Sequence, residues 1–237
     1  MGFNVGHLGG DRGSIFVMIL KTHFLRGVFA AVCVLAAAGC SSTYYNTLEK
    51  FGYAKRDLLV DRVEKAQEAQ TEAKEQFASA LEHFLAVTKV DGGDLQRKYE
   101  AMSAEFKRSE TRAKEVHERI DAVEDVAEAL FSEWKAELKQ YSSASLRSES
   151  QRQLDATRRN YDNVLRLMRR AAERMDPVLG TFRDQVLFLK HNLNARALAS
   201  LDSTNRELEA DISRLIADME ASIREAEAFI KTLQTAK

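Results

Sequence analysis

Apolar residues recur along this chain at alternating steps of four and three, from Leu59 to Leu233. Such a 3.5-residue repeat is the signature of α-helices that wind around one another in a left-handed supercoil. The first series is Leu59, Val63, Ala66, Gln70, Ala73, Phe77, Ala80, Phe84 and Val87. The last series is Leu208, Ile212, Leu215, Met219, Ser222, Ala226, Phe229 and Leu233. The pattern therefore predicts long helices that share an apolar seam.

Three interruptions divide this pattern into four segments. They are Asp91-Gly92-Gly93-Asp94, a serine-rich stretch over residues 142–150, and Thr204-Asn205-Arg206-Glu207, which has capping-box spacing. We predict one domain over residues 46–237, with helices at about 46–90, 94–141, 149–200 and 204–235. Since residues 40–237 contain only four glycines and one proline, little else than helix is expected. The predicted fold class is all-α, an elongated antiparallel helical bundle or coiled coil of three to four long helices.

Short connections make consecutive helices antiparallel neighbours. Folding the first two helices about Gly92-Gly93 brings residue i close to residue 185 − i, which places Phe77 opposite Ser109. Pro177 interrupts the third series without shifting its phase, so we expect a kinked continuous helix; a new helix that starts at Asp176-Pro177 is the alternative. The wider apolar face at Val178, Leu187 and Phe188 is expected to receive the fourth helix.

The first 39 residues have the parts of a secretory signal. Residues 27–38 carry no charge and follow Lys21 and Arg26. This apolar run would span roughly 18 Å as a helix, which is short of the ~30 Å hydrocarbon layer, so a transmembrane helix is the weaker interpretation. Residues 1–17 are glycine-rich and unlike a signal, and translation is expected to start at Met18.

Ala37-Ala38-Gly39-Cys40 resembles the bacterial lipobox, in which the cysteine is acylated and the chain is cut before it. We therefore expect a signal peptide over residues 1–39 and a lipidated linker over residues 40–45. The alternative is an ordinary secretory signal with an incidental cysteine. The resemblance to envelope lipoproteins implies that Ser41 directs the protein to the outer membrane, facing the periplasm.

The balance of basic and acidic residues does not exclude a local binding surface, but it gives no general reason to expect nucleic-acid binding. The chain has 35 basic and 36 acidic residues, and residues 40–237 retain 32 and 35 of them. An arginine run faces an acidic run in the predicted antiparallel pairing of the second and third helices. The arginines are Arg158, Arg159, Arg166, Arg169, Arg170 and Arg174. The acids are Glu118, Asp121, Glu124, Asp125, Glu128, Glu133 and Glu137. We favour helix pairing over a ligand-binding patch.

No catalytic, cofactor or metal site is predicted. The histidines after residue 40 are His83, His117 and His191, and none has a glutamate three residues before it, as a di-iron bundle requires. Nucleophile elbows, zinc-binding helix motifs and glycine-rich phosphate loops do not occur in residues 40–237.

Polar residues gather near the predicted tip of the bundle, between Phe188 and Leu201. They are Lys190, His191, Asn192, Asn194 and Arg196. They could form a docking surface for a partner, or they could cap the helix ends. The sequence favours neither interpretation over the other.

Three stretches of the chain are distinctive: YYNTLEKFGYAKRDLLVDRVEKAQEAQ, EQFASALEHF and MDPVLGTFRDQVLFLKHNLNARALASL. Together they resemble an uncharacterised bacterial family, domain of unknown function 2959. The resemblance implies an envelope lipoprotein and brings no established activity or catalytic residue. Relatives sometimes carry a DNA repair ATPase label, against which the missing phosphate loop and the export signal both argue.

The first functional hypothesis is a non-catalytic lipid-anchored coiled-coil protein of the periplasm, with a structural or adaptor role. Its partners would be the membrane, through the lipid, and an envelope protein or peptidoglycan; nucleic acid is not expected, and pairing of two copies stays open. The alternative is a helical bundle that binds or remodels membrane lipid. A nucleotide-dependent DNA-repair protein is the third and weakest hypothesis.

Overall fold

A computed structural model describes residues 55–89, 94–192 and 201–235. It contains four long helices: α1 (Lys55–Lys89), α2 (Leu95–Glu137), α3 (Ala144–His191) and α4 (Asp202–Thr235). The described residues are 96% helical and include no strand, so the predicted all-α fold class is confirmed.

The helices pack in an up-down-up-down order, each mainly against two neighbours. Gln76 of α1 donates to Glu105 of α2 at 2.8 Å, and Arg169 of α3 donates to Glu124 of α2 at 3.0 Å. Asn163 of α3 donates to Glu225 of α4 at 2.7 Å. A bond between the side chains of α1 Gln67 and α4 Glu227, at 3.1 Å, closes the ring of four interfaces. Because consecutive helices alternate in direction, α1 and α4 are also antiparallel.

The predicted seam is the core of this bundle. The first eight members of the α1 series, Leu59 to Phe84, are fully buried, and all eight members of the α4 series are buried. Phe182 of α3 reaches across the centre, with its ring centroid 4.4 Å from Phe84 and 6.4 Å from Phe77. The 3.5-residue spacing thus identified the buried faces of α1 and α4 correctly.

Contacts between α1 and α2 follow the predicted register. Glu72 forms an ion pair with Arg112, one residue from its predicted opposite position. Lys55 pairs with Glu133 at 2.9 Å, within one helical turn of the position predicted for it. The first two helices therefore pair as the turn at Gly92-Gly93 requires, although residues 90–93 lie outside the described part of the chain.

The second connection is shorter than the serine-rich stretch predicted. α2 ends at Glu137 and a 3₁₀ turn follows at Leu138–Gln140, while α3 already begins at Ala144 instead of residue 149. Ser143 explains the early start, because its hydroxyl accepts a bond from the N–H of Leu146 at 3.3 Å and caps the helix. Serines after the cap are tolerated within the first turns of α3.

The last two helices also differ in detail from the prediction. α4 begins at Asp202, two residues before the capping-box motif, and the N–H of Asn205 donates to the carbonyl of Leu201 at 2.9 Å. Pro177 lies inside the continuous α3, as the favoured interpretation required. Residues 193–200, predicted to extend the third helix, lie outside the described residues.

The arginine run is divided between two neighbours, which corrects the predicted pairing. Arg169 pairs with Asp121 and Glu124 of α2, as expected. Arg170 and Arg174 instead pair with Asp218 of α4. In a four-helix ring each helix has two flanks, and positions one residue apart on α3 point to different flanks.

The apolar widening on α3 is only partly covered by α4. Val178 is buried, but Leu187 is 48% exposed and Phe188 is 39% exposed. Within residues 55–89, 94–192 and 201–235, no helix is both long and apolar enough to cross a bilayer.

Candidate functional site

The end of α3 presents an exposed surface of mixed chemistry, which we call the α3 tip: Leu187, Phe188, Lys190 and His191. All four side chains are exposed. No described residue forms a hydrogen bond or ion pair with the side chain of Lys190 or His191. The α3 tip therefore combines two apolar side chains with a cation and an imidazole that are available to a partner.

Asn192 has a structural role at this tip. Its Nδ2 donates to the carbonyl of Phe188 at 2.9 Å, and its N–H donates to the carbonyl of Leu189 at 3.2 Å. These bonds satisfy carbonyl groups that a helix leaves unpaired at its C-terminus. Of the two interpretations of this run, capping accounts for Asn192. The other predicted positions, Asn194 and Arg196, lie outside the described residues, as do Cys40 and Ser41.

Gln185 is an unexplained buried polar residue just before the α3 tip. Its side chain is only 2% exposed, and neither its oxygen nor its nitrogen has a hydrogen-bond partner. A buried unsatisfied amide costs about 1–3 kcal/mol. Gln185 therefore places an unsatisfied polar group inside the bundle, just before the α3 tip.

A groove of about 820 Å³ runs between α2 and α3 in the other half of the bundle. The rings of Phe131 and Tyr161 form its floor, edge to face with centroids 5.4 Å apart. The guanidinium of Arg158 lies 5.6 Å from the centroid of Phe131, a cation–π contact. The size is within the range of small-molecule sites, but the groove is open along the helices.

Charges in this groove are separated along its length. Glu124, Glu128 and Asp162 line one end, while Lys135 and Lys139 line the other, towards the α2–α3 connection. Burial raises the pKa of Tyr161, and the neighbouring carboxylate of Glu124 raises it further, so the hydroxyl stays protonated. The groove thus offers binding groups of both signs and a neutral phenol.

A second cluster surrounds the buried carboxylate of Glu105, which is 3% exposed between α1 and α2. Burial alone would raise the pKa of Glu105, but hydrogen bonds from Arg108 and from Gln76 outweigh burial and hold it below its usual value. The Nδ1 of His83 lies 3.3 Å from the same carboxylate and 2.9 Å from the carbonyl of Ser79. The contacts of Gln76 and His83 with Glu105 join α1 to α2.

The other histidines do not converge on a site. His117 faces Asp176 at 3.8 Å, and His191 is exposed. In the described part of the chain, no three histidine, cysteine or carboxylate side chains are grouped so that they could hold a metal ion.

The family model for proteins of unknown function DUF2959 matches residues 44–233. The chain belongs to the DUF2959 family. The match covers α1, α2, α3 and all but the last two residues of α4, which confirms the resemblance seen in the sequence. No curated protein and no solved structure matches this DUF2959 chain.

In this DUF2959 protein the sequence analysis missed both the groove and the Glu105 cluster. The groove depends on side chains from two helices, which no single-helix pattern reveals. The burial of Glu105 could have been expected from the sequence, because Glu105 adjoins Phe106 of the apolar series and a charged residue next to a seam position risks burial.

Proposed function

We propose that this protein is a non-catalytic, lipid-anchored structural or adaptor protein of the bacterial cell envelope. Acyl groups on Cys40 would hold it in the outer membrane, with the helical bundle in the periplasm. The apolar run over residues 27–38 and the small residues before Cys40 support the anchor, and Ser41 supports the outer-membrane address.

The observation that carries the adaptor role is the position of the α3 tip. α1 begins next to the end of α2, where Lys55 pairs with Glu133 at 2.9 Å. The α3 tip lies at the opposite end, because α3 runs parallel to α1 in the up-down-up-down order. Since α1 alone is about 50 Å long, a partner could dock on Leu187 and Phe188 well away from the end of the bundle where α1 begins.

The expected partner is an envelope protein with an apolar contact and an acidic group. Leu187 and Phe188 supply the apolar area, and Lys190 supplies the positive charge. Peptidoglycan, which carries carboxylates but little apolar surface, is the second candidate; it would depend on Lys190 and not on Phe188.

A photo-crosslinking amino acid at Phe188 tests this docking in living cells. We expect one discrete adduct at position 188 and none at Ala156, an exposed control position in the other half of α3. Lys190→Ala with His191→Ala should weaken the adduct. The absence of any crosslinked adduct at position 188 under all growth conditions would count against the adaptor role.

The anchor has its own test in the intact mass of the native protein. We expect a mass that lacks residues 1–39 and includes acyl groups on Cys40, and a Cys40→Ser variant that stays uncleaved. Recovery of the wild-type chain from the cytosol with residues 18–39 intact would refute the address.

A further inference from the structure

The connection between α2 and α3 presents two apolar side chains to solvent. Tyr141 is 37% exposed and Leu146 is 59% exposed. The turn is well bonded: Arg147 donates to the carbonyl of Tyr141 at 2.6 Å, and the hydroxyl of Ser143 caps α3. The exposure therefore belongs to a defined turn, which we call the α2–α3 hairpin, residues 134–152.

In the described part of the chain, neither α1 nor α4 reaches far enough to cover this hairpin. α1 starts level with Glu133, to which Lys55 is paired. On the other side, the rings of Phe229 and Tyr161 lie 6.4 Å apart, and α4 ends six residues later, at Thr235. In an antiparallel pair, Thr235 is then level with about residue 155 of α3. The hairpin extends beyond both neighbours by roughly 15 Å, at 1.5 Å per residue.

Cations without a carboxylate partner lie beside these apolar side chains. Lys135 and Lys139 are one turn apart and line the same side of the groove, and no described carboxylate is within ion-pair distance of either. The nearby acids are engaged elsewhere, since Glu133 pairs with Lys55 and Glu149 pairs with Arg152. Glu137 lies about half a turn around the helix from both lysines.

We propose that the α2–α3 hairpin rests on the surface of an anionic lipid bilayer. Tyr141 and Leu146 would enter the interfacial layer, where the amphipathic ring of tyrosine is favoured. Lys135 and Lys139 would contact the phosphates of anionic headgroups. A bilayer suits this pairing of an apolar tip and a basic flank, because its interfacial layer accepts apolar side chains while its anionic headgroups attract the lysines.

The position of the hairpin in the chain agrees with this contact. It lies at the end of the bundle where α1 begins, and Cys40 is fifteen residues before Lys55. Fifteen residues span at most about 50 Å, which is long enough for a chain anchored at Cys40 to bring the hairpin to the membrane surface. The contact itself does not require acylation, because it depends only on described residues of the hairpin.

Trp134 is the chain's one tryptophan and provides a local probe of the hairpin. Its indole N–H donates to Ser150 at 2.8 Å, so its fluorescence reports on this segment alone. The full chain is reconstituted with vesicles of brominated phosphatidylcholine, with or without 30% phosphatidylglycerol. We expect quenching of Trp134 only in the anionic vesicles, and its loss at high salt, since screening weakens a headgroup contact.

Two variant pairs separate the parts of the contact. Lys135→Gln with Lys139→Gln should reduce the ratio of bound to free hairpin by about 30-fold, because each lysine near an anionic surface contributes roughly fivefold. Tyr141→Ser with Leu146→Ser should abolish the quenching. The matched control, Lys107→Gln with Lys114→Gln, removes two exposed lysines of α2 that lie away from the hairpin and should change nothing.

Three outcomes would overturn the proposal. They are an unquenched Trp134 in vesicle-bound protein, equal quenching by neutral vesicles, and equal loss of quenching in the control pair. The first would leave the lipid anchor intact, since the chain would still be bound through its N-terminal segment.

Discussion

Ser222 of α4 donates a hydrogen bond to the Oε1 of Gln70 in α1 at 2.8 Å, and both side chains are completely buried. Both residues occupy seam positions where the neighbouring layers are apolar. The Nε2 of Gln70 has no hydrogen-bond partner. A polar pair inside an apolar seam lowers stability, but it favours one register because any slip separates its members.

Removing one member of this pair should cost more than removing both. Ser222→Ala leaves the Gln70 amide entirely unpaired, so we expect a loss of about 1–3 kcal/mol in the free energy of unfolding. Gln70→Leu with Ser222→Ala should be neutral or stabilising. Denaturant titration of both single variants and the double variant gives the coupling energy; simple additivity would contradict the interpretation.

Phe182 should be among the most sensitive positions of the core. Its ring stacks on Phe77 and Phe84 across the centre of the bundle, and all three are fully buried. We expect Phe182→Ala to cost about 3–5 kcal/mol. Phe188→Ala, on the exposed α3 tip, is the control and should stay within about 0.5 kcal/mol of the wild type. Similar losses in both variants would argue against this core.

Gly180→Ala should stabilise the protein. Gly180 lies inside α3, and a Cβ built there meets no atom within 4 Å. Glycine in a helix is less favourable than alanine by about 0.5–1 kcal/mol. The reverse change at the exposed Ala156 in the same helix should destabilise by a similar amount. Thermal unfolding of both variants checks the direction of each stability change. A destabilised Gly180→Ala variant would contradict the finding that a Cβ at this position meets no neighbouring atom.

Glu105 should make the stability depend on acid pH. Its pKa is lowered in the folded state, so its contribution is present above the unfolded-state pKa of about 4.3 and is lost as pH falls through the folded-state pKa. The difference between wild type and Glu105→Gln should therefore be largest near pH 7 and shrink below about pH 4. Glu128→Gln, at an exposed position of α2, should show no such trend. A difference independent of pH would refute this role for the Glu105 cluster.

Most of the fold could be predicted because the apolar repeat determines which face of a helix is buried. The positions from Leu59 to Phe84 specified which face of α1 is buried, and the glycine pair specified where α1 turns back. The apolar repeat does not show which helix packs against each flank of a given helix. Arg170 and Arg174 pair with α4 instead of α2 for that reason. The apolar repeat also does not predict helix capping. Ser143 caps the start of α3 within the serine-rich stretch that was predicted to be a break between helices.

The candidate surfaces were less predictable than the core. Lys190 and His191 were identified from the sequence as polar residues near a tip, and the structure leaves them exposed. Leu187 and Phe188 were expected to lie under α4 but are exposed, because an apolar side chain does not reveal which flank of its helix a neighbour covers. Leu146 falls outside the heptad series, and that departure was the available signal of an exposed role, whereas Tyr141 lies one heptad after Trp134 and its position gave no such signal.

The order of the helices around the ring has a kinetic consequence. Three of the four interfaces join consecutive helices, whereas Gln70 and Ser222 join segments 152 residues apart. Loops this long close late, so the α1–α4 interface should assemble after the rate-limiting step of folding. Ser222→Ala should then accelerate unfolding and leave the refolding rate almost unchanged. Detachment of α4 would be the first event when the bundle comes apart.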